Sequence, residues 1–323
     1  MTTSFYDLEA TNRRDSIVLI VVVLAILSGL GFAIGYATSG SATGALAITV
    51  GAFVLGIVLS LGSYFAGDQL VLASSQAHEV TAEQEPQLLN VVQEMAVSAG
   101  VPMPRVYVID DESPNAFATG RDHQHASVAI TSGLLKRLDR EELQGVLGHE
   151  LSHVRNYDIR FALLVAVLVG SISILAQIFL RFTFWGGGRG SRDRGGGGAL
   201  VAILFVVAIV LSILAPIAAR LVQLAVSRQR EYLADASSVE LTRNPQGLIQ
   251  ALAKIGTDPH TLKEANGATA HLYFTNPLKK WDERSSSIFS THPPILDRIN
   301  RLRKLVGEEP LSPDEARGLA GLD

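Results

Sequence analysis

Five consecutive residues, His149, Glu150, Leu151, Ser152 and His153, hold the densest chemistry in this chain. On a helix, positions four apart share a face, so both imidazoles can reach a single ion while Glu150 stands beside them. This is the His-Glu-x-x-His zinc motif, and Gly145 and Gly148 would let another element approach it closely. Its bland alternative is two surface histidines with an incidental glutamate. Two histidines alone hold zinc poorly, because catalytic sites supply three protein ligands and leave one position for water. The sequence has no cysteine, so the third ligand must be His, Asp or Glu. The same absence removes disulfides, thiolate nucleophiles and iron–sulfur clusters. The leading candidate is Glu231, in the helical stretch from Ser227 to Ser238. Asp235 lies four residues later on the same face, placed to accept a hydrogen bond from the free nitrogen of a zinc-bound histidine. Spacing leaves a second reading open, in which Glu231 and Asp235 pair with Arg228 or Arg230 on a solvated helix face.

The elements that must position these groups are legible around them. Asp139 begins a strong helix, capping free backbone amides with Glu142 three residues on, and Leu143, Val146, Leu147, Leu151 and Val154 recur at the spacing of a core-facing stripe. Gln84 to Ala99 reads as a second amphipathic helix. Arg105 to Ile109 and Ala126 to Thr131 read as short strands, with Asn115 to Thr119 a third. The fold class expected is mainly α with a small β-sheet: a multi-span helical membrane protein with a zincin-like metalloprotease domain.

The 323 residues are 48% hydrophobic and only 18% charged, so apolar mass is concentrated somewhere. Ser16 to Gly67 is a run of 52 residues without Asp, Glu, Lys or Arg. Two spans fit it, at 17–36 and 45–65, joined by a turn-prone stretch that forces an antiparallel hairpin. A cleaved signal peptide is the rival reading, but the apolar core is too long for one and a second span follows at once. Further uncharged segments at 161–180 and 199–219 complete four candidate spans, the last carrying Pro216 as a kink. Buried helices of a soluble core are the alternative for these two. Between them, 182–198 is a Gly/Arg-rich connector with eight glycines. A short Gly/Arg tract without interleaved aromatics is weak evidence for RNA binding, and a net charge of −4 argues against nucleic-acid partners generally. The chain thus divides into an N-terminal segment and hairpin (1–67), two polar regions (68–160 and 220–323) that form the halves of one domain, and the membrane segments between them (161–219).

Seven arginines near span ends (Arg13, Arg14, Arg155, Arg160, Arg220, Arg228, Arg230) stand against four on the other side (Arg181, Arg189, Arg192, Arg194). The excess favours a multi-pass protein of the inner (plasma) membrane whose polar regions face the cytoplasm, although the basic outer loop conflicts with that rule. His153 and Glu231 lie close enough to span ends for both helices to meet one ion roughly 10 to 20 Å from the membrane.

NAFATG at Asn115 to Gly120, LGHELSHVRNYD at Leu147 to Asp158, SRQREYLADA at Ser227 to Ala236 and STHPP at Ser290 to Pro294, together with the N-terminal hairpin, resemble the HtpX membrane metalloproteases in order over nearly the whole chain. The resemblance implies a zinc metalloendopeptidase with one zinc per chain, held by His149, His153 and Glu231, and with Glu150 as general base. It implies that Asn115 holds substrate backbone at an edge strand and that His292 stabilises the transition state. For these two, a turn residue after Pro114 and part of a Thr291-capped helix through Ile295, Ile299 and Leu302 remain open. The substrates implied are misfolded or damaged proteins, in quality control at the membrane lipid. The alternative is a zinc-stabilised membrane scaffold or sensor without turnover. An intramembrane protease is disfavoured by the charges flanking His149, such as Arg140, Glu141, Glu142 and Arg155, which would be costly in hydrocarbon. A transporter is disfavoured by two first spans without charged residues. His78, His123, His125, His260 and His271 have no assigned role.

Overall fold

The computed structural model describes residues 5–39, 41–168, 228–262, 269–277 and 292–319. The segments expected at 182–198 and 199–219, and most of 161–180, lie outside the described residues, as do Thr291 and Pro216.

Two long helices open the chain, α1 (Phe5–Ser39) and α2 (Ala42–Ser74). Ser41 caps the second by accepting from the Gly44 amide. The pair is the antiparallel hairpin expected, but each helix outruns its apolar stretch. Glycines bring the two backbones together: a Cβ on Gly35 would lie 2.6 Å from the Ala45 Cα. Along α2, which is 33 residues long and apolar enough to cross a membrane, Leu46, Val50, Val54, Val58, Leu61 and Phe65 are exposed. A sheath of this kind needs a non-aqueous neighbour.

A four-stranded sheet follows in the order β1-β2-β4-β3, built from β1 (His78–Glu79), β2 (Arg105–Ile109), β3 (Ala116–Gly120) and β4 (Ala126–Thr131). β2 and β4 pair in parallel, and the outer pairs are antiparallel. The third strand starts one residue later than the sequence suggests. Alternate residues supply two different cores, as the period of a strand requires. Val106, Val108, Ala118, Val128 and Ile130 pack on α3 (Pro86–Ala99) and α5 (Arg140–Arg155). Tyr107, Ile109, Phe117 and Ala129 face Val71 and Leu72 of α2 and Leu163 and Ala166 of the helical segment 158–168. The sheet therefore stands between α5 and the base of α2, and both its faces are apolar.

After the short α4 (Ser132–Arg137), α5 starts on the capping box expected: Asp139 accepts from the Glu142 amide and Glu142 accepts from the Asp139 amide. The helices Arg228–Thr242 and Pro245–Thr257 pack directly on α5. Gly145 makes this possible, since a Cβ there would stand 2.8 Å from both the Cα and the amide nitrogen of Leu248. Ser238 Oγ uses the same closeness to donate to the Gly145 carbonyl at 2.6 Å. The helix Ile295–Leu305 then adds Ile295, Ile299 and Leu302 to the core.

Candidate metal centre and active site

α5 carries His149 and His153 one turn apart, with ring centroids 4.8 Å apart and planes at 86°. Their Nε2 atoms lie 3.2 Å from each other. Glu231 reaches them from the Arg228–Thr242 helix, with Oε2 3.5 Å from His149 Nε2 and Oε1 3.5 Å from His153 Nε2. One ligand atom from each of the three residues lies within 4.8 Å of the others.

What surrounds these atoms decides what they can hold. His149 Nδ1 lies 2.9 Å from Asp235 Oδ1, and His153 Nδ1 lies 2.9 Å from Asp158 Oδ2. A carboxylate only accepts, so the hydrogen sits on Nδ1 of His153 and, the 2.9 Å contact with Asp235 outweighing a 3.3 Å approach of Arg298 Nη2, on Nδ1 of His149, which turns each Nε2 lone pair inward. Glu231 Oε2 has no hydrogen-bond donor in this buried position. Three acceptors thus converge with no hydrogen to share, and the chemistry that satisfies two imidazoles and a carboxylate together is a divalent cation. Without one, the set holds a proton. Burial opposes charge on His153, but the Asp158 hydrogen bond and the charge of Glu231 outweigh it and push the imidazole up to about 9. Burial likewise opposes charge on Glu231, and the two histidines overcome it and hold the carboxyl far below its usual range.

Glu150 lines the same pocket as both histidines, with Ala118 of β3 as another wall. Burial raises its pKa, against the pull of His149 and His153 and a hydrogen bond from the Ala118 backbone. His292 is buried beside Glu231, Arg298 and His271 and hydrogen-bonds the Tyr273 backbone. Burial first, then the Arg298 charge, lowers it to about 4, so it is neutral at pH 7. Its side chain is not among those lining the pocket that holds Glu150.

Asn115 is buried at the start of β3 and its amide is occupied by this chain. Nδ2 donates to the Thr275 carbonyl at 3.0 Å, while Oδ1 accepts from the Ala116 and Thr275 amides. The neighbouring Phe274 amide donates to the Ala116 carbonyl at 2.7 Å, and Phe117 bridges Tyr273. The first part of the β3 edge is therefore covered by residues 273–275, and Ala118 is the next residue whose backbone points the same way.

Two functional residues escaped the sequence analysis. Asp158 lies five residues after His153, off its helical face. Tyr157 adopts φ 59°, ends the helix and swings Asp158 back onto the imidazole. Arg298 is 1% exposed, grips Asp235 through Nε at 2.9 Å and Nη2 at 2.6 Å, and donates from Nη1 to the Phe274 carbonyl at 2.9 Å. The visible signal was an arginine in the stripe of Ile295, Ile299 and Leu302, where a cation needs a buried partner.

Residues 82–306 match the family model described as Peptidase family M48. The chain belongs to that family. A protease HtpX homolog of Streptococcus gordonii is 44% identical over 300 residues, covering 93% of this chain and 99% of that protein. One from Ligilactobacillus salivarius is 47% identical over 301 residues, with the same coverage. Among solved structures, the crystal structure of S. mikatae Ste24p aligns with a TM-score of 0.46 at 17% identity, over 92% of this chain and 67% of that one. This M48 member is accordingly a membrane-bound metalloprotease that cleaves peptide bonds.

Proposed function

We propose that this chain is a zinc endopeptidase of the inner (plasma) membrane, multi-pass, with its protease domain facing the cytoplasm, and that it removes misfolded or damaged proteins. The observation that carries the reading is the convergence of the inward lone pairs of His149 and His153 on Glu231, each imidazole backed by its own carboxylate. His149, His153 and Glu231 would hold the ion; when bound, zinc supplies Lewis acidity, polarising the scissile carbonyl and acidifying a water.

The chain's own residues do the rest. Glu150 takes a proton from the attacking water and delivers it to the departing amine, so that hydroxyl adds to the carbonyl carbon and hydrogen to the nitrogen as the C–N bond breaks. Its burial favours the protonated form that this delivery needs. His292 would stabilise the oxyanion on the substrate by turning toward it the one N–H of its neutral ring, which the Tyr273 backbone holds in this structure. An extended substrate adds to the β3 edge at Ala118, while Asn115 fixes the backbone of residues 273–275 that closes the upstream part of that edge. Main-chain pairing of this kind gives affinity without much sequence preference, which suits unfolded substrates. Asp235 and Asp158 fix the tautomers of the two histidines.

The test is zinc content together with casein cleavage for detergent-purified wild type, Glu150→Gln and Glu231→Ala. Wild type should bind one zinc and cleave, Glu150→Gln should bind without cleaving, and Glu231→Ala should lose metal. Zinc in all three with no cleavage by any would instead favour a scaffold.

A further inference from the structure

Two polar residues are buried on the flank of α1 that precedes its apolar run. Asn12 is 2% exposed and Ser16 is 5% exposed. The Asn12 amide spends both hydrogens on the turn that closes α5: Nδ2 donates to Asp158 Oδ1 at 2.7 Å and to the Asn156 carbonyl at 2.9 Å. The other oxygen of Asp158 is the one that accepts from His153 Nδ1 at 2.9 Å. On the same face of α1, Asp15 Oδ2 stands 3.4 Å from Arg230 Nη2, and Arg230 is the chain neighbour of Glu231. One turn further, Leu19, Val23 and Leu27 continue the stripe against Phe161, Leu164 and Leu168 of the segment that Asp158 begins.

We infer that Asn12 is a positioning residue for the metal site, acting through Asp158 on His153, so that full metal affinity depends on α1 being docked. The inference rests on the reading of His153 as a metal ligand. A carboxylate held by one oxygen can swing about its terminal torsion, and a second donor on the other oxygen stops it. Asp158 Oδ1 has a cationic neighbour only at longer range, Arg230 Nε at 3.9 Å, so the 2.7 Å bond from the uncharged Asn12 amide is the contact that fixes this oxygen. The same amide hydrogen-bonds the Asn156 carbonyl, fixing the turn that aims Asp158. The membrane helix is by this contact part of the support of the site as well as its tether.

The test is a double-mutant cycle on full-length protein in detergent, in a Glu150→Gln background that prevents self-cleavage, with zinc Kd read by competition with a chromophoric chelator. Asn12→Ala should raise Kd by about 10-fold, the low end for partners outside the ligand sphere. Asp158→Asn should raise it further, and adding Asn12→Ala to Asp158→Asn should change nothing more, because the two act as one unit. With Glu150 intact, Asn12→Ala should lower kcat for casein while leaving KM unchanged. Melting of the metal-free proteins supplies the structural control. A lowered melting temperature with unchanged Kd, or effects of Asn12→Ala and Asp158→Asn that simply add, would overturn the inference alone. Failure of the parent protein to bind zinc would instead remove the ligand reading beneath it.

Discussion

At the scale of residues, the site is a set of opposed charges whose protonation is coupled to the metal. His153 is raised from 6.5 to about 9 in the metal-free protein, so below pH 9 an incoming cation must displace a proton. Zinc binding at pH 7 should release about one proton from it, falling to none above pH 9, as isothermal titration in buffers of different ionisation enthalpy would show. The sign for metal-free stability follows from the same shift. A folded pKa above the unfolded one contributes stability that is complete below about pH 6.5 and lost as pH rises through about 9, so the melting temperature should fall across that window. Arg298 offers a second check. It is enclosed with Asp235, whose carboxyl burial would raise but the guanidinium holds below its usual range. Arg298→Met strands that carboxylate and should cost about 3–5 kcal/mol in chemical unfolding, far more than its loss of packing. Legibility at this scale followed helical periodicity. Glu231 and Asp235 share a face, so spacing made them candidates and the family resemblance chose between ligand and surface ion pair, whereas Asp158 needed a left-handed Tyr157 and Arg298 needed a partner 63 positions away.

At the scale of elements, α5 was readable because local signals agree along it: an acidic cap, a core stripe and two glycines. Those glycines separate close backbone contact from side-chain contact. A methyl at Gly145 meets the Leu248 backbone at 2.8 Å, which cannot yield, whereas at Gly148 it meets the Ser238 hydroxyl at 3.0 Å, which can rotate. Gly145→Ala should therefore destabilise by about 1–3 kcal/mol and Gly148→Ala by less, measured as midpoints of thermal or denaturant unfolding. Three of the four strands were placed to within a residue because they are short and bounded, whereas β1, two exposed residues long, is too short to show a period and was not foreseen. Two further things were not readable. The length of α1 was hidden because its uncharged run begins only at Ser16, and what holds the helix ahead of that run includes a tertiary contact, that of Asn12 with Asp158. The cover on the β3 edge was hidden because Asn115 and Thr275 are 160 residues apart.

At the scale of the whole molecule, both polar ends of the α1–α2 hairpin pack against the domain that holds the site. Asn12 of α1 bonds Asp158, and Asp68 near the end of α2 takes a 2.9 Å ion pair from Arg105 of β2. The turn at Ser41 is then the far end of the hairpin. Because the sequence has no cysteine, this is directly checkable by single substitutions. Ser41→Cys should react with an impermeant maleimide applied outside intact cells. Val97→Cys, at a position 76% exposed on α3, should react only after the cytoplasmic face is opened. The reverse pattern would place the protease domain outside. The central claim, however, is the ligand set. Zinc K-edge X-ray absorption on the Glu150→Gln protein tests it most directly. Two imidazole nitrogens, a carboxylate oxygen and one further light atom at about 2.0–2.2 Å, with the zinc edge itself lost from purified Glu231→Ala, are what the account predicts. A spectrum with one imidazole or none, or one unchanged by Glu231→Ala, would contradict it.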